Sequence, residues 1–150
     1  MRIVIQRVKQ ASVAVDNQKI SQINHGLLVL VGVENGDTED DCRWLAAKTV
    51  ALRIFDDENG VMNRSVADVA GNVLAVSQFT LTASTRKGNR PSYIRAAGHE
   101  LATHLYQLYA DLIADALGRP TAQGRFGADM QVSLVNDGPV TIIIDSRLRE

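Results

Sequence analysis

The sequence is poor in cysteine and histidine. Its single cysteine, Cys42, has no partner for an internal disulfide, and one thiol is too few for a cysteine-based metal site. Of the three histidines, His25, His99 and His104, the last two lie five residues apart and would face different sides of a helix. We therefore expect a protein of a reducing, cytoplasmic compartment that uses no metal and no cofactor.

Long apolar segments and an excess of positive charge are also missing. The longest apolar run, LLVLVGV at residues 27–33, is far shorter than the roughly 20 residues needed to span a bilayer. The N-terminal MRIVIQRVKQ is interrupted by charges and lacks the apolar core of a signal peptide. The net charge of −1 argues against indiscriminate nucleic-acid binding. We expect no membrane association, and any contact with RNA must be local.

The chain does have enough apolar sequence for one folded domain. Its 150 residues, 45% of them hydrophobic, fit a single compact domain over residues 1–150. Alternating β-branched residues predict strands over 2–8 and 11–15. LLVLVGV and NVLAVSQF (72–79) predict two further strands, the first of them buried on both faces.

Two helices are expected. The first begins at Thr38, with Asp41 three residues on as in a capping box, and ends near Leu52. The second stops at Gly118 and Pro120 and carries a leucine face, made of Leu101, Leu105, Leu108 and Leu112. With the strands, this order predicts an α+β fold, a mostly antiparallel sheet closing towards a barrel with two main helices outside.

The segment VNDGPVT, residues 135–141, is predicted to be a tight turn between strands 130–135 and 140–144. It is unusual because Pro139 directly follows Gly138. Proline removes a backbone donor and makes a cis peptide accessible, so this pair can hold carbonyl oxygens in a direction that an ordinary turn cannot. The pattern alone favours a structural turn, and a role in recognition is the alternative.

The strongest candidate for chemistry is SQFTL, residues 77–81, where a buried strand enters a long polar loop. The chain has neither the G-x-S-x-G elbow of serine hydrolases nor a phosphate-binding P-loop. Either Ser77 and Thr80 hydrogen-bond locally at the strand end, or backbone N–H groups there form an oxyanion hole. In the second case Thr80 serves as a hydrogen-bonding group or a nucleophile.

Three further features each allow two interpretations. A local basic cluster is either a solvated surface or a phosphate-binding site, and it comprises Arg86, Lys87, Arg90 and Arg95. Phe126 is either a core anchor beneath a loop or a stacking surface for a base. Met130 is either a core residue or part of a pocket wall.

Several segments, taken in order, resemble the D-aminoacyl-tRNA deacylases of the D-Tyr-tRNA deacylase type. The similarity covers essentially the whole chain and includes IVIQRVKQASV, LRIFDDENGVMNRSV, SQFTL, TRKGNRPSY and GADMQVSLVNDGPVT. It implies a homodimeric hydrolase that cleaves the ester between a D-amino acid and tRNA and so proofreads chirality during translation. It also implies cleavage of glycyl-tRNA, including glycine mischarged on alanine tRNA.

The resemblance implies that Gly138-Pro139 is a cis peptide inserted into the partner subunit's active site. There it would engage the substrate amino group and leave no space for an L side chain, while Arg7 steadies it. The two subunits would then share their active sites. Phe126 and Met130 would line the pocket for the terminal adenosine and the aminoacyl group.

For catalysis, the resemblance implies that the N–H groups around Phe79 and Thr80 stabilise the oxyanion, with Ser77 and Gln78 shaping that wall. Two views of Thr80 remain open. Either Thr80 is the nucleophile, or the 2′-hydroxyl of the terminal adenosine has the activating role and protein side chains mainly position the ester. The tRNA backbone would meet three basic residues, Arg86, Lys87 and Arg90. Two other functions also remain open, a non-catalytic RNA-binding module and a small-molecule esterase.

Overall fold

The computed structural model describes residues 1–149, so the last residue of the predicted 1–150 domain, Glu150, lies outside the described residues. The strands are β1 (Arg2–Val15), β2 (Gln18–Ile23), β3 (Gly26–Gly32), β4 (Phe55–Asp56), β5 (Met62–Arg64), β6 (Asn72–Ser77), β7 (Ala122–Gln123) and β8 (Gln131–Asp145). The helices are α1 (Glu39–Ala51) and α2 (His99–Leu117), and a 3₁₀ turn covers Phe79–Thr82.

Strand β1 is the centre of the main sheet. Its first half pairs antiparallel with β3, its second half with β2, and its other edge with β8. β3 pairs in parallel with β6, which pairs in parallel with β7, so the order is β2-β1-β3-β6-β7 with β8 added on β1. The predicted class is confirmed: an α+β fold with a sheet that curls towards a barrel and two helices outside it.

The prediction of separate strands over 2–8 and 11–15 is wrong, because β1 is continuous. The alternation of buried and less buried residues along β1 is interrupted at residues 7–10, where two buried residues are followed by two exposed ones. Ile3 and Ile5 belong to the core beneath the helices, whereas Val8, Ala11 and Val13 belong to a second core inside the curled sheet. A strand that passes from one core to another loses simple alternation, and in the sequence this loss looks like an interruption.

The predicted turn at VNDGPVT is also wrong. Residues 131–145 form one long strand that runs antiparallel to β1 throughout, with Thr141 opposite Gln6 and Asn136 opposite Val8. Residues 137–140 therefore stand opposite the single residue Arg7 and bulge out of the ladder without reversing the chain. We call them the Gly-Pro bulge. Proline is tolerated here because a bulged residue has no ladder hydrogen bond to lose.

Both predicted helices are confirmed, together with their ends. Thr38 caps α1, and the Asp41 carboxylate accepts from the Thr38 N–H at 2.9 Å, as in a capping box. Gly118, at φ 67°, closes α2 in the left-handed conformation. The helices pack on each other through a buried hydrogen bond of 2.7 Å between Thr49 and Tyr109. Within residues 1–149, neither helix has the length and apolar character needed to cross a membrane.

Candidate active site

A cavity of about 270 Å³ opens where the parallel strands β3 and β6 end side by side. Val31 pairs with Ser77 at the last position of their ladder. The polar residues therefore begin where the buried apolar strand stops. Several predicted site residues meet in the lining of this cavity, namely Ser77, Gln78, Phe79, Phe126 and Met130.

The 3₁₀ turn at Phe79–Thr82, called the 79–82 turn below, begins with two unpaired backbone donors. The N–H of Gln78 donates to Val31 O at 2.7 Å, and the N–H of Leu81 donates to Gln78 O at 3.2 Å. Within residues 1–149, the amides of Phe79 and Thr80 have no such backbone partner. Free N–H groups are usual at the start of a helical turn. Since Phe79 lines the cavity, the start of the turn borders it.

Thr80 is not among the residues that line this cavity. It lines a separate open depression, together with Val4 and Ile143. The Gln78 side-chain amide donates to the Thr80 hydroxyl oxygen. In the part of the chain that the structure describes, no histidine or carboxylate hydrogen-bonds to Thr80, so the hydroxyl has no base that would make it a strong nucleophile.

Phe126 and Met130 form the opposite wall of the cavity. The Phe126 ring packs against His99 at 5.4 Å and Tyr106 at 5.7 Å between centroids. It is partly buried against the helix-covered core and also borders the cavity. Phe126 is therefore both a core residue and part of the cavity wall, and its predicted role as a stacking surface for a base stays a prediction. Met130 borders the cavity from the other core cluster, next to Gly124, where a Cβ would lie 2.6 Å from the Met130 sulfur.

The lining residues that the sequence did not single out include Ala97, Ala102 and Tyr106. The Tyr106 hydroxyl donates to Ala75 O at 2.9 Å. Burial raises the pKa of this hydroxyl, so it remains a neutral donor at physiological pH. Tyr106 follows Leu105 on the apolar face of α2, and nothing in that spacing separates a cavity residue from a core residue.

The Gly-Pro bulge lies elsewhere, outside the lining of its own chain's cavity. The Gly138–Pro139 peptide is cis, and both residues are exposed. Arg7, only 8% exposed, supports the bulge from below. Its Nε donates to Asp137 O at 2.9 Å and its Nη1 donates to Ile54 O at 2.6 Å. Gly138 has φ 137°, and a Cβ there would lie 2.9 Å from Val140 and 3.1 Å from the Arg7 guanidinium.

A small hairpin carries most of the basic cluster. Ser84 and Ser92 exchange two backbone hydrogen bonds of 2.9 Å, which close residues 84–92 into what we call the basic hairpin. Its tip exposes Arg86, Lys87 and Arg90. Arg95 is different, because its guanidinium donates to Thr82 O at the end of the 79–82 turn. Beside the hairpin, the exposed rings of Phe79 and Tyr93 contact each other edge to face at 5.1 Å.

The lining of the cavity is mostly apolar and neutral, with one carboxylate, that of Asp129. Among residues 1–149, no three histidine, cysteine or acidic side chains are placed to bind a metal ion. Free backbone amides in a turn beside a cavity can stabilise negative charge that develops on a carbonyl oxygen. The arrangement suits polarisation of an ester or amide carbonyl.

Comparison with known proteins links this geometry to one family. The sequence model of D-Tyr-tRNA(Tyr) deacylase matches residues 4–145. A D-aminoacyl-tRNA deacylase of Opitutus terrae is 61% identical over 150 residues, and one of Parabacteroides distasonis is 57% identical. Each alignment covers 100% of both chains. A solved structure of a c-Myc DNA Unwinding Element Binding Protein superposes with a TM-score of 0.91 at 38% identity, covering 97% of this chain and 98% of that one.

Proposed function

Because this chain belongs to the D-Tyr-tRNA(Tyr) deacylase family, we propose that it hydrolyses the ester bond between a D-amino acid and tRNA. The products are the free D-amino acid and tRNA, and the reaction serves chirality proofreading in the cytoplasm. Glycyl-tRNA, including glycine mischarged on alanine tRNA, is a second substrate, since glycine has no side chain to exclude. Residues 1–150 act as one catalytic domain without a cofactor.

The observation that carries this proposal is the pair of free amides, Phe79 and Thr80, in a turn whose first residue lines the cavity. Water adds to the ester carbonyl carbon, and the carbonyl oxygen becomes an oxyanion that both amides stabilise. The bond to the tRNA 3′-oxygen then breaks, and that oxygen takes up the proton that the attacking water gives up. Ser77 and Gln78 shape the wall beside the reacting carbon.

The nucleophile is water assisted by the 2′-hydroxyl of the terminal adenosine, and Thr80 is not attacked or acylated. Its hydroxyl accepts from Gln78 and lacks a neighbouring base.

Phe126 and Met130 hold the adenosine and the aminoacyl group, for which an apolar cavity wall is suited. Arg86, Lys87 and Arg90 contact the tRNA backbone, as exposed cations on a hairpin next to the cavity can do.

Chiral selection comes from the Gly-Pro bulge of a second subunit. In its own chain the bulge lies outside the cavity lining, and Gly138 and Pro139 are exposed, which supports a role in the site of a neighbouring subunit. Its backbone carbonyls bind the substrate amino group and fill the space that an L side chain would need. A backbone element held by a buried arginine excludes the wrong enantiomer more sharply than a mobile side chain.

A homodimer is supported by an exposed apolar surface on β1, β3 and β8. Ile143, 67% exposed, is paired with Val4, and Val4 with Leu30, so the three side chains share one face of the sheet. Leu81 and Leu148 border the same face. We call these five residues the apolar sheet face. A two-fold contact there would bring the partner against the 79–82 turn, which gives both sites a second chain at once.

Purified protein should cleave D-Tyr-tRNA rapidly and leave L-Tyr-tRNA intact, because only the D side chain avoids the bulge. The measurement is release of labelled tyrosine from both esters at low enzyme concentration. An aminoacyl nucleotide without the tRNA body serves as the control, and equal cleavage of it would favour a small-molecule esterase. Binding of tRNA with no cleavage of either ester would leave only an RNA-binding module.

Thr80→Ala should keep turnover of D-Tyr-tRNA within about threefold of wild type, since backbone amides survive the substitution. Removing the nucleophile of a hydrolase instead costs roughly 10⁶-fold. Single-turnover kinetics of Thr80→Ala and of Thr80→Ser, which keeps the hydroxyl, provide the comparison. A collapse in Thr80→Ala that Thr80→Ser restores would reinstate the side-chain nucleophile.

Gly138→Ala should lower the ratio of D to L cleavage rates by about tenfold, as displacing a specificity wall by one methyl group does. The new Cβ would press on Val140 and Arg7, and the left-handed φ of Gly138 disfavours alanine. Gly88→Ala is the matched control, because Gly88 has φ +99° but open space around it. An unchanged ratio in Gly138→Ala would remove the bulge from chiral selection.

Ile143→Asp should dissociate the dimer and abolish deacylation while the monomer stays folded. An unpaired charge buried in an interface costs about 3 kcal/mol, or roughly 100-fold in affinity. Light scattering gives the mass, and circular dichroism checks the fold. Val61 is an exposed hairpin residue outside the apolar sheet face, so Val61→Asp should change neither the mass nor the fold. A fully active monomeric Ile143→Asp enzyme would contradict shared active sites.

A further inference from the structure

The back of the 79–82 turn is held by two arginines. Arg2 Nη1 donates to Leu81 O at 2.9 Å. Arg95 donates to Thr82 O through Nη2 at 3.1 Å and Nε at 3.3 Å. The last carbonyls of a helical turn lack partners within the turn, and a guanidinium satisfies them with charge-assisted hydrogen bonds. The turn is thus fixed at its carbonyl end, and its amide end remains open.

Both arginines are tied to carboxylates in turn. Arg2 donates to Asp145 Oδ2 from Nη2 at 2.8 Å and from Nε at 3.0 Å. Arg95 lies 3.8 Å from the carboxylate of Glu34, which is 5% exposed. Glu34 also accepts from Arg147 at 3.0 Å. Each guanidinium that donates to the turn therefore also interacts with a carboxylate.

The backbone around Arg95 also forms hydrogen bonds with the segment that directly follows β3. Asn35 N–H donates to Arg95 O at 2.9 Å, and Ala97 N–H donates to Val33 O at 3.0 Å. The same strand accepts from the Gln78 N–H just before the turn. Arg95 and the start of the turn are consequently positioned by one strand end, so the distance between them is fixed by regular structure.

The other cations of the basic cluster are placed differently. Arg86, Lys87 and Arg90 are exposed at the tip of the basic hairpin, and within residues 1–149 they form no ion pair. Arg95 is about half exposed, but its donors are committed to Thr82 O and directed towards Glu34. Four cations that look equivalent in the sequence thus divide into three that face solvent and one that faces the turn.

We propose that Arg95 is a positioning residue for deacylation, which holds the 79–82 turn so that the Phe79 and Thr80 amides meet the oxyanion. This proposal rests on the proposed function above. Donors that are aligned before the reaction need no reorganisation as charge develops, and a small displacement weakens them. Arg95 therefore acts on the chemical step through the turn and makes no contact with the tRNA phosphates.

The test is steady-state kinetics of Arg95→Lys on D-Tyr-tRNA, because lysine keeps the charge beside Glu34 but cannot make the paired guanidinium contact to Thr82 O. We expect kcat to fall about tenfold, less than the 10²-fold or more for losing an oxyanion donor outright. KM should stay within about twofold. Arg95→Gln serves as the second variant if the lysine form is poorly folded.

Two control variants separate positioning from other roles. Arg119 also donates to backbone carbonyls, those of Leu117 and Gly71, away from the cavity. Arg119→Gln should lower the melting temperature without changing kcat. Arg86→Gln should raise KM. It should also reduce the slope of log KM against log salt concentration by about one, whereas Arg95→Lys should keep the wild-type slope.

The outcomes distinguish this inference from the proposed function. If Arg95→Lys raises KM, weakens the dependence of KM on salt concentration and leaves kcat intact, Arg95 is a phosphate contact. That result would overturn the proposal. An unchanged kcat, with unshifted amide resonances of Phe79 and Thr80, would also overturn it and leave deacylation standing. A wild-type protein that cleaves no ester would overturn both.

Discussion

The pairing of β1 with β8 is the constraint on which the rest of this structure depends. The two strands run antiparallel over nearly their whole length, and the ladder is interrupted where residues 137–140 stand opposite Arg7. Regular hydrogen bonds on both sides of the interruption fix where the Gly-Pro bulge emerges. The same β1 residues pair with β3, so one strand links the bulge to the strand that supports the cavity.

The candidate site consists mainly of backbone groups and neutral side chains. The free amides of Phe79 and Thr80 lie in a turn that borders a largely apolar cavity, and Asp129 is the charged side chain in its lining. The precision of this site must come from rigid support, and the arginines behind the 79–82 turn and beneath the bulge provide it. In this protein, charged residues hydrogen-bond to the carbonyl end of the turn and to the bulge, and the amide end of the turn stays free.

Local features were predictable because they depend on neighbouring residues. The capping box at Thr38 and Asp41 and the glycine stop at Gly118 are confirmed, since each is closed within a few residues. The two-strand interpretation of VNDGPVT failed because turn chemistry is shared by turns and bulges, and only pairing with β1 distinguishes them. Tyr106 was missed because a helix face that borders a cavity has the same apolar spacing as one that borders a core.

The sequence by itself determined the fold class, the helix ends, the segment that bears the 79–82 turn, and, through resemblance, the family. These depend on short patterns and on motifs that keep their order along the chain. Only the tertiary structure decided that Thr80 lies outside the cavity lining, that the bulge lies outside its own chain's cavity, and that Arg95 differs from its basic neighbours. The physical reason is that side-chain direction and hydrogen-bond partners are set by contacts between residues far apart in sequence, which no local pattern encodes.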